Sequence, residues 1–318
     1  MSVHRAEAFL REPAPSAGYP LAIHAFAKLN LGLWVGARRP DGYHEIRTVF
    51  QTIDLPDTLY LRPTRGDLKL RVRAAGPARG RGLSLGPTAS NLVLRAARLL
   101  RRAANVRAGA DLLLVKRIPA GSGLGGGSSD GVAALRGLVR LWDLQLDPSV
   151  LRNLALQLGS DCPFFLKGGR AVAGGRGERL RALQVPTRHR VLVALPRSGV
   201  PTATAYRLFA GEKRLTQRVG VRRLKTPFSY RHHHETARSL MPNLLEEVVC
   251  RQYPDVARAK DSLERRGVSA VQMSGSGSAV FGLLPPGARS GRYVPMQPES
   301  SAALVLARFT RTGSRWTS

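Results

Sequence analysis

The sequence predicts two α/β domains, because two glycine-rich loops each follow an apolar strand in different halves of the chain. The first loop, residues 119–129, lies after the apolar stretch 111–118 and before a stretch with apolar residues at helical spacing. The second loop, residues 275–278, lies between the apolar stretches 268–273 and 279–284. A length of 318 residues agrees with two domains of about 100–200 residues each. We expect both loops to face one cleft.

The expected domain boundary lies near residue 185, where a glycine-rich stretch and Pro186 interrupt the regular patterning. The first residues are rich in Pro, Ala and Arg and predict a loose leader. The predicted division is a leader at 1–20, a first domain at 21–185 and a second domain at 186–318. The tail after about residue 285 is weakly patterned, which indicates poor packing of the last 33 residues.

The first half opens with strand patterns. Apolar residues alternate over residues 21–34, the turn signal Arg39-Pro40-Asp41-Gly42 follows, and a second strand-like run ends at Phe50. We therefore expect a β-hairpin or the entry to a β-meander. Residues 59–72 predict further strand structure, broken at Gly66-Asp67.

Helices follow these strands. Ser90 is the expected N-cap of a helix with a continuous apolar stripe, and Pro148 opens another helix that ends at Gly159. Asp161 is expected between this helix end and an aromatic strand at 164–166.

The second half predicts a strand at 191–195 and helices over 243–266, separated by a basic excursion at about 211–238. Three consecutive histidines, residues 232–234, lie in this excursion. Adjacent imidazoles point in different directions and no other ligands accompany them, so an exposed loop is favoured over a metal site.

The composition excludes several classes of protein. The 50 basic and 21 acidic residues give a net charge of +29, but 43 of the basic residues are arginines spread along the whole chain. This distribution favours a compositional bias over a dedicated nucleic-acid surface, although a positive field would steer an anionic substrate. The apolar runs are far shorter than the ~20 residues of a membrane-spanning helix, and two cysteines exclude a disulfide scaffold. We expect a soluble, cytoplasmic protein without a specific nucleic-acid or membrane partner; the oligomeric state stays open.

The loop at 119–129 is the strongest indication of function. Its five glycines allow backbone N–H groups to face a ligand without interference from side chains, and the next helix directs its positive dipole end to the same place. A phosphate site is therefore favoured over a flexible linker. The loop is not a Walker A motif, because no lysine follows the glycines, and it lacks the acidic residue of a dinucleotide-binding motif.

The same loop, Pro-Ala-Gly-Ser-Gly-Leu-Gly-Gly-Gly-Ser-Ser, resembles the phosphate loop of the GHMP kinases. Three further segments resemble, more narrowly, the 4-diphosphocytidyl-2-C-methyl-D-erythritol kinase family: residues 27–31 with the turn at 39–44, residues 158–165 and residues 274–281. All four segments follow the order found in that family and span about residues 21–284. The resemblance implies a two-domain GHMP kinase fold, with an ATP-binding N-terminal split βαβ domain and a C-terminal ferredoxin-like substrate domain.

The resemblance also implies an activity. It is ATP- and Mg²⁺-dependent phosphorylation of the 2-hydroxyl of 4-diphosphocytidyl-2-C-methyl-D-erythritol, in the non-mevalonate route to isoprenoid precursors. Asp161 corresponds to the residue that accepts the hydroxyl proton, and Lys28 to the lysine that pairs with it. Phosphoryl transfer needs mainly alignment and charge stabilisation, so this pair beside a phosphate loop is sufficient. Taken alone, Asp161 fits a helix-end residue equally well, and Lys28 fits an exposed strand residue.

The resemblance places further residues around the two substrates. The expected nucleotide contacts are Pro119, Ala120, Gly121, Ser122, Gly123, Leu124, Gly125, Gly126, Gly127, Ser128 and Ser129, with Lys116 and Asn91 near the adenine. Because the loop has no lysine, Ser128 or Ser129 is expected at the β-phosphate, and Ser129 is the candidate Mg²⁺ ligand. The expected acceptor contacts are Asn30, Tyr43, His44, Thr202, Tyr206, Gly275 and Gly277. For Tyr43 and His44 the alternative is a turn with outward side chains.

Two other hypotheses stay open. The first is a GHMP kinase for another alcohol, such as a mevalonate- or homoserine-like one, and the Pro-Asp-Gly-Tyr-His turn with the triple glycine argues against it. The second is a non-catalytic basic relative that binds nucleic acid. The presence of both Lys28 and Asp161 argues against the second hypothesis.

Overall fold

The computed structural model describes residues 18–79, 90–184, 189–212, 242–285, 288 and 302–317. Most of the predicted leader and most of the predicted excursion, including the three histidines, lie outside these residues. The described residues form one seven-stranded sheet and one four-stranded sheet, with helices packed against them.

The first sheet is built on a long hairpin, as the sequence predicted. Its strands are β1 (Leu21–Arg38), β2 (His44–Thr64), β3 (Leu68–Ala74), β4 (Gly109–Lys116), β5 (Arg170–Gly174), β6 (Arg179–Ala182) and β11 (Ser314–Trp316). The order is β11-β1-β2-β4-β3, and β5 pairs with β2 and with β6. β3 runs parallel to β4, and the other neighbours are antiparallel.

Among the described residues of the first half there are a short 3-10 helix (Gly76–Ala78) and four α-helices: α1 (Leu92–Ala103), α2 (Gly126–Leu141), α3 (Pro148–Leu158) and α4 (Cys162–Phe165). The prediction of Ser90 as N-cap was wrong by one residue, because the Asn91 side chain accepts the N–H of Val93. The aromatic strand predicted after Asp161 is the short helix α4 instead. Pro163 suits the first turn of a helix, and both phenylalanines of this helix are buried in the first core.

The second sheet has the antiparallel order β10-β7-β9-β8. Its strands are β7 (Arg190–Pro196), β8 (Ser269–Met273), β9 (Val280–Leu283) and β10 (Ala302–Arg308), and its helices are α5 (Thr202–Gly211), α6 (Glu246–Gln252) and α7 (Pro254–Arg265). The expected poor packing of the tail was wrong for residues 302–317. β10 pairs with β7 along its whole length, and β11 returns to the first sheet.

An apolar layer joins the two sheets. Ala27 and Leu29 of β1 pack in it with Val193 of β7 and Phe281 of β9, and all four side chains are fully buried. This shared core holds the two halves together and brings their glycine loops to one side. The boundary near residue 185 remains a prediction, and β11 belongs to the first sheet although its residues lie in the predicted second domain.

The pairing of β1 with β2 has a β-bulge between Phe26 and Ala27, where one step along β1 matches three steps along β2. Before the bulge, Ala25 faces the core beneath the helices, whereas Ala27 after it faces the layer between the sheets. Lys28 and Asn30 then lie beside the two glycine loops: Lys28 Nζ donates to the Gly123 carbonyl, and the Asn30 N–H donates to Ser274 Oγ. Within the described ranges, no helix is long and apolar enough to cross a membrane.

Candidate active site

A cavity of about 1060 Å³ lies where the first glycine loop meets the second half of the chain. Its wall contains every residue that the sequence assigned to the site except Ser129 and Gly277. Gly123 explains how the two loops meet, because a Cβ at this position would lie 2.1 Å from the Ser274 carbonyl oxygen. The prediction that both glycine loops face one cleft is confirmed.

The first loop turns its carbonyl groups into the protein. Successive carbonyl oxygens accept hydrogen bonds from outside the loop: Gly121 O from Val200 N (2.9 Å), Ser122 O from Ala279 N (3.0 Å), Gly123 O from Ser274 Oγ (3.1 Å) and Leu124 O from Lys28 N (2.9 Å). In a planar trans peptide the N–H points opposite to the carbonyl. The N–H groups of residues 122–125 are therefore directed toward the cavity, where α2 also begins, and together they form a cradle for an anion.

Gly125 has a different role from the one expected. From the sequence, the glycines of this loop are expected to keep side chains away from the ligand. In the structure a Cβ would instead lie 2.9 Å from Phe165 Cζ and 3.0 Å from Lys28 Cγ, and Gly125 adopts a left-handed conformation with φ of +69°. This glycine makes room for the lysine stem beneath the loop.

Lys28 and Asp161 meet below the loop. Lys28 Nζ lies 3.6 Å from Asp161 Oδ2, and the lysine side chain is 5% exposed whereas the aspartate side chain is 32% exposed. Nζ also donates to the Gly123 carbonyl at 3.1 Å and lies 5.2 Å from the centroid of the Phe50 ring. Burial lowers the pKa of Lys28, and the Asp161 carboxylate opposes this shift. The carboxylate faces the cavity from the turn between α3 and α4.

Asn30 holds this lysine in place. Its Oδ1 accepts from Lys28 Nζ at 2.5 Å, and its Nδ2 donates to Thr48 Oγ1 at 2.8 Å. Both polar ends of the amide are thus engaged within the protein, although the residue lines the cavity. A direct contact between Asn30 and the acceptor stays a prediction.

An aromatic wall stands on the acceptor side of the cavity. The rings of His44 and Tyr206 stack with centroids 5.6 Å apart, and His44 Nδ1 lies 2.9 Å from the Gly36 carbonyl oxygen. Burial raises the pKa of Tyr206, and the charge of Asp161 adds to the shift. Tyr43 is 55% exposed and carries the Arg176 guanidinium 4.8 Å above its ring. Thus His44 faces inward, whereas Tyr43 lies at the mouth.

Lys116 lines the cavity, but its ammonium is not free to bind an adenine. It forms ion pairs with two buried carboxylates, those of Asp57 and, at 2.7 Å, Asp130. Asn91 also lines the cavity, and its Oδ1 is engaged as the cap of α1. The ammonium of Lys116 therefore belongs to the framework of the loop.

Ser129 and Gly277 differ from expectation. The Ser129 hydroxyl is buried and outside the cavity, whereas Ser128 lines it. In the second loop the cavity residues are Gly275 and Ser276, and Ser276 Oγ lies 3.1 Å from Thr202 Oγ1. Side-chain direction along the first turn of α2 separates the two serines, and the sequence carries no signal for it.

Three arginines that the sequence interpretation missed line the same cavity: Arg38, Arg176 and Arg207. With Lys28 they give the cavity a positive wall. Nothing distinguishes them from the other arginines in a chain with so many, since only the fold places them together.

Comparisons with known proteins agree with this geometry. The family model for the GHMP kinases N terminal domain matches residues 91–169, and that for the GHMP kinases C terminal matches residues 227–314. The chain is 44% identical over 293 residues to the 4-diphosphocytidyl-2-C-methyl-D-erythritol kinase of Pelotomaculum thermopropionicum, covering 91% of this chain and 93% of the relative. The kinase of the same name from Geobacillus thermodenitrificans is 40% identical over 272 residues, covering 86% and 91%.

Solved structures extend the comparison. A crystal structure of 4-(cytidine 5'-diphospho)-2C-methyl-D-erythritol kinase superposes with a TM-score of 0.71 and 33% identity, covering 91% of this chain and 99% of the other. A homoserine kinase from Cytophaga hutchinsonii gives a TM-score of 0.70 at 16% identity, covering 96% and 100%, and shares the fold. The chain therefore belongs to the 4-diphosphocytidyl-2-C-methyl-D-erythritol kinase family and has the two-domain GHMP kinase fold that its sequence predicted.

Proposed function

We propose that this chain transfers the γ-phosphoryl group of ATP to the 2-hydroxyl of 4-diphosphocytidyl-2-C-methyl-D-erythritol, with Asp161 and Lys28 as the reacting pair. The observation that carries the proposal is the 3.6 Å contact between Lys28 Nζ and Asp161 Oδ2, open to a cavity that the glycine loop also lines. Family membership supports the choice of substrate.

Asp161 receives the proton of the attacking hydroxyl. As the oxygen of the acceptor bonds to the γ-phosphorus, the bond from that phosphorus to the β,γ-bridging oxygen breaks and ADP leaves. Lys28 stabilises negative charge on the transferred group and holds the carboxylate in position. Asn30, with its oxygen 2.5 Å from Lys28 Nζ, orients the ammonium.

The loop binds the triphosphate through its backbone. The inward carbonyl groups leave the N–H groups of residues 122–125 facing the cavity, and the positive end of the α2 dipole adds to their attraction. These donors replace the lysine that a Walker A loop would supply.

Mg²⁺ fits the same place. A nucleotide-bound Mg²⁺ takes most of its ligands from phosphate oxygens and water, so few protein oxygens are needed. The Ser128 hydroxyl and the Asp161 carboxylate both line the cavity and would hold the ion, in place of the buried Ser129. When bound, the ion neutralises phosphate charge.

The acceptor binds against the aromatic wall. His44 and Tyr206 offer ring faces and polar edges to a cytosine, and Arg176 at the mouth offers charge to a diphosphate.

Because the donor is ATP and both described cysteines are free thiols, we place the reaction in the cytoplasm.

The test is ADP release by the purified chain with ATP, Mg²⁺ and one alcohol at a time. We expect turnover with the diphosphocytidyl substrate and a new phosphomonoester signal by phosphorus NMR. Faster turnover with mevalonate or homoserine would instead support the alternative GHMP kinase. Salt-resistant, sequence-specific retention of DNA without turnover would support the nucleic-acid hypothesis.

A further inference from the structure

Behind the glycine loop lies a cluster of three buried ionisable groups that takes no part in the reaction proposed above. Asp57 lies on β2, Lys116 at the end of β4, and Asp130 near the start of α2. Their exposed fractions are 0%, 5% and 3%. The Lys116 ammonium contacts both carboxylates. We refer to these three residues as the loop clamp.

The clamp connects the two ends of the loop. On the entry side, Asp57 Oδ1 accepts the N–H groups of Arg117 and, at 2.9 Å, Ile118, the residues that lead into the loop. On the exit side, Asp130 Oδ2 accepts from Lys116 Nζ at 2.7 Å. Residues at both ends of the loop are therefore joined to the same cluster.

The clamp also lies directly against the loop. A Cβ on Gly126 would lie 3.1 Å from Lys116 Nζ. Asp130 reaches the cavity wall, and its Oδ1 is buried without a hydrogen-bond partner among the described residues. Burial and the nearby Asp57 carboxylate raise the pKa of Asp130, which favours its protonated form, and in that form the set carries no net charge. The Lys116 ammonium bonds to both carboxyl groups, so loss of either one leaves a buried donor without its acceptor.

We propose that Asp57, Lys116 and Asp130 are positioning residues for the nucleotide: the clamp fixes the distance between the two ends of the glycine loop and so keeps its N–H groups aligned for the triphosphate. This inference rests on the proposed use of ATP. It gives Lys116 a function other than contact with the adenine.

The test compares Asp130→Leu with Asp130→Asn. Leucine keeps the branched outline of aspartate but offers no acceptor to the ammonium, so we expect the dissociation constant for ATP to rise on the order of 10–100-fold, the scale for misplaced binding groups. Asparagine keeps a carbonyl oxygen for Lys116 and should restore ATP binding to within a few-fold. The KM for the acceptor should stay unchanged, and kcat at saturating ATP should fall much less than the affinity.

Asp111→Leu is the matched control. Asp111 is 5% exposed, lies near the other end of β4, and its Oδ2 accepts from Arg62 Nη2 at 2.6 Å. Its replacement should lower the thermal midpoint without weakening ATP binding, as measured by calorimetry. Should Asp130→Leu fail to fold, Lys116→Gln, which can bond only weakly to two carboxylates, is expected to raise the same dissociation constant.

Unchanged ATP affinity in a folded Asp130→Leu or Lys116→Gln protein would overturn the proposal. An equal loss in Asp111→Leu would overturn it too, because the effect would then be one of general stability. ATP binding by the wild-type chain is measured first. If the wild type does not bind ATP, the proposed function fails. If the wild type binds ATP and the variants bind it equally well, only the clamp proposal is rejected.

Discussion

Two buried lysines lie against the first glycine loop, and their pKa values shift in opposite directions. Lys28 and Lys116 are almost equally buried, at 4% and 5% exposure, and each contacts aspartate. Lys28 has one carboxylate partner, 3.6 Å away and 32% exposed. Lys116 has two, with side chains 0% and 4% exposed. Burial lowers the pKa of Lys28, whereas the two carboxylates outweigh burial and raise the pKa of Lys116.

The difference supports the proposal that Lys28 is reactive and Lys116 structural. The charge of the Lys28 ammonium is only partly compensated, because its one carboxylate partner is 3.6 Å away and partly exposed to solvent. Additional negative charge nearby therefore stabilises this ammonium. A transferring phosphoryl group supplies such charge. The charge of the Lys116 ammonium is already compensated by two buried carboxyl groups, and its contacts with them join β2, β4 and α2. The number and burial of the partners therefore decide the role.

Among the substitutions that test this comparison, Asp161→Asn should have the largest effect on turnover. It removes the proton acceptor and the only carboxylate that touches Lys28 among the described residues, so we expect turnover to fall by roughly 10²–10⁴-fold. ATP binding should persist, because the loop amides are unaffected. Single-turnover phosphoryl transfer and calorimetry measure the two quantities. Asp147→Asn, at the opposite end of α3, is the control and should be silent, since asparagine is also a good N-cap. Near-normal transfer by Asp161→Asn would remove Asp161 from the mechanism.

Lys28→Met should have the next largest effect. The change removes the ammonium and keeps a flexible apolar stem, so we expect kcat to fall by about 10²–10³-fold, the scale for one charge-stabilising donor. ATP affinity should change only a few-fold, since the Lys28 charge acts mainly as the phosphoryl group moves. A loss of ATP affinity as large as the loss of kcat would show that Lys28, like Lys116, supports the loop.

Gly125→Ala perturbs Lys28 from above without removing its charge. The new Cβ would collide with Phe165 and the lysine stem in a left-handed conformation, so we expect a loss of about 1–3 kcal/mol in the free energy of unfolding. Displacement of Lys28 should lower kcat on the order of 10-fold. Gly127→Ala is the control, because its Cβ would meet only Leu92 Cδ1, at 3.8 Å. Equal effects of the two variants in urea unfolding and in turnover would contradict this account.

The two lysines should differ in how they make activity and stability depend on pH. This is the smallest of the expected effects and the most specific one. Because the pKa of Lys28 lies below its ordinary value of 10.5, the ammonium is lost and turnover falls at a pH below that value. In the same window the unfolded chain binds more protons than the folded one, so the contribution of Lys28 to stability rises with pH. The contribution of Lys116, whose pKa is raised, is present below 10.5 and is lost only at higher pH.

Profiles of kcat/KM against pH for the wild type and Lys28→Arg test this point. Arginine keeps its charge beyond pH 12, so the alkaline fall in activity should move to higher pH in this variant while the absolute rate drops. An alkaline limb at the same pH in both proteins would assign it to another group.

Local features of the fold were predictable because they depend on neighbours in the chain. The hairpin turn at 39–42, the end of α3 at Gly159 and the glycine loop after β4 all follow from turn and cap chemistry. The prediction failed where packing overrides local preference. The phenylalanines of α4 carry a strand-like signal, yet they are buried as a helix against the first core.

By itself, the sequence determined that a glycine loop stands between a strand and a helix, and through its motifs it indicated the family and predicted Lys28 and Asp161 as the catalytic pair. Only the tertiary structure decided how many carboxyl groups surround each lysine and how deeply they are buried. Asp57 lies 59 positions from Lys116, and Lys28 lies 95 positions from the Gly123 carbonyl that its ammonium contacts. The compensation of a buried charge depends on groups that only the folded chain brings together, so no pattern in the sequence could distinguish the two.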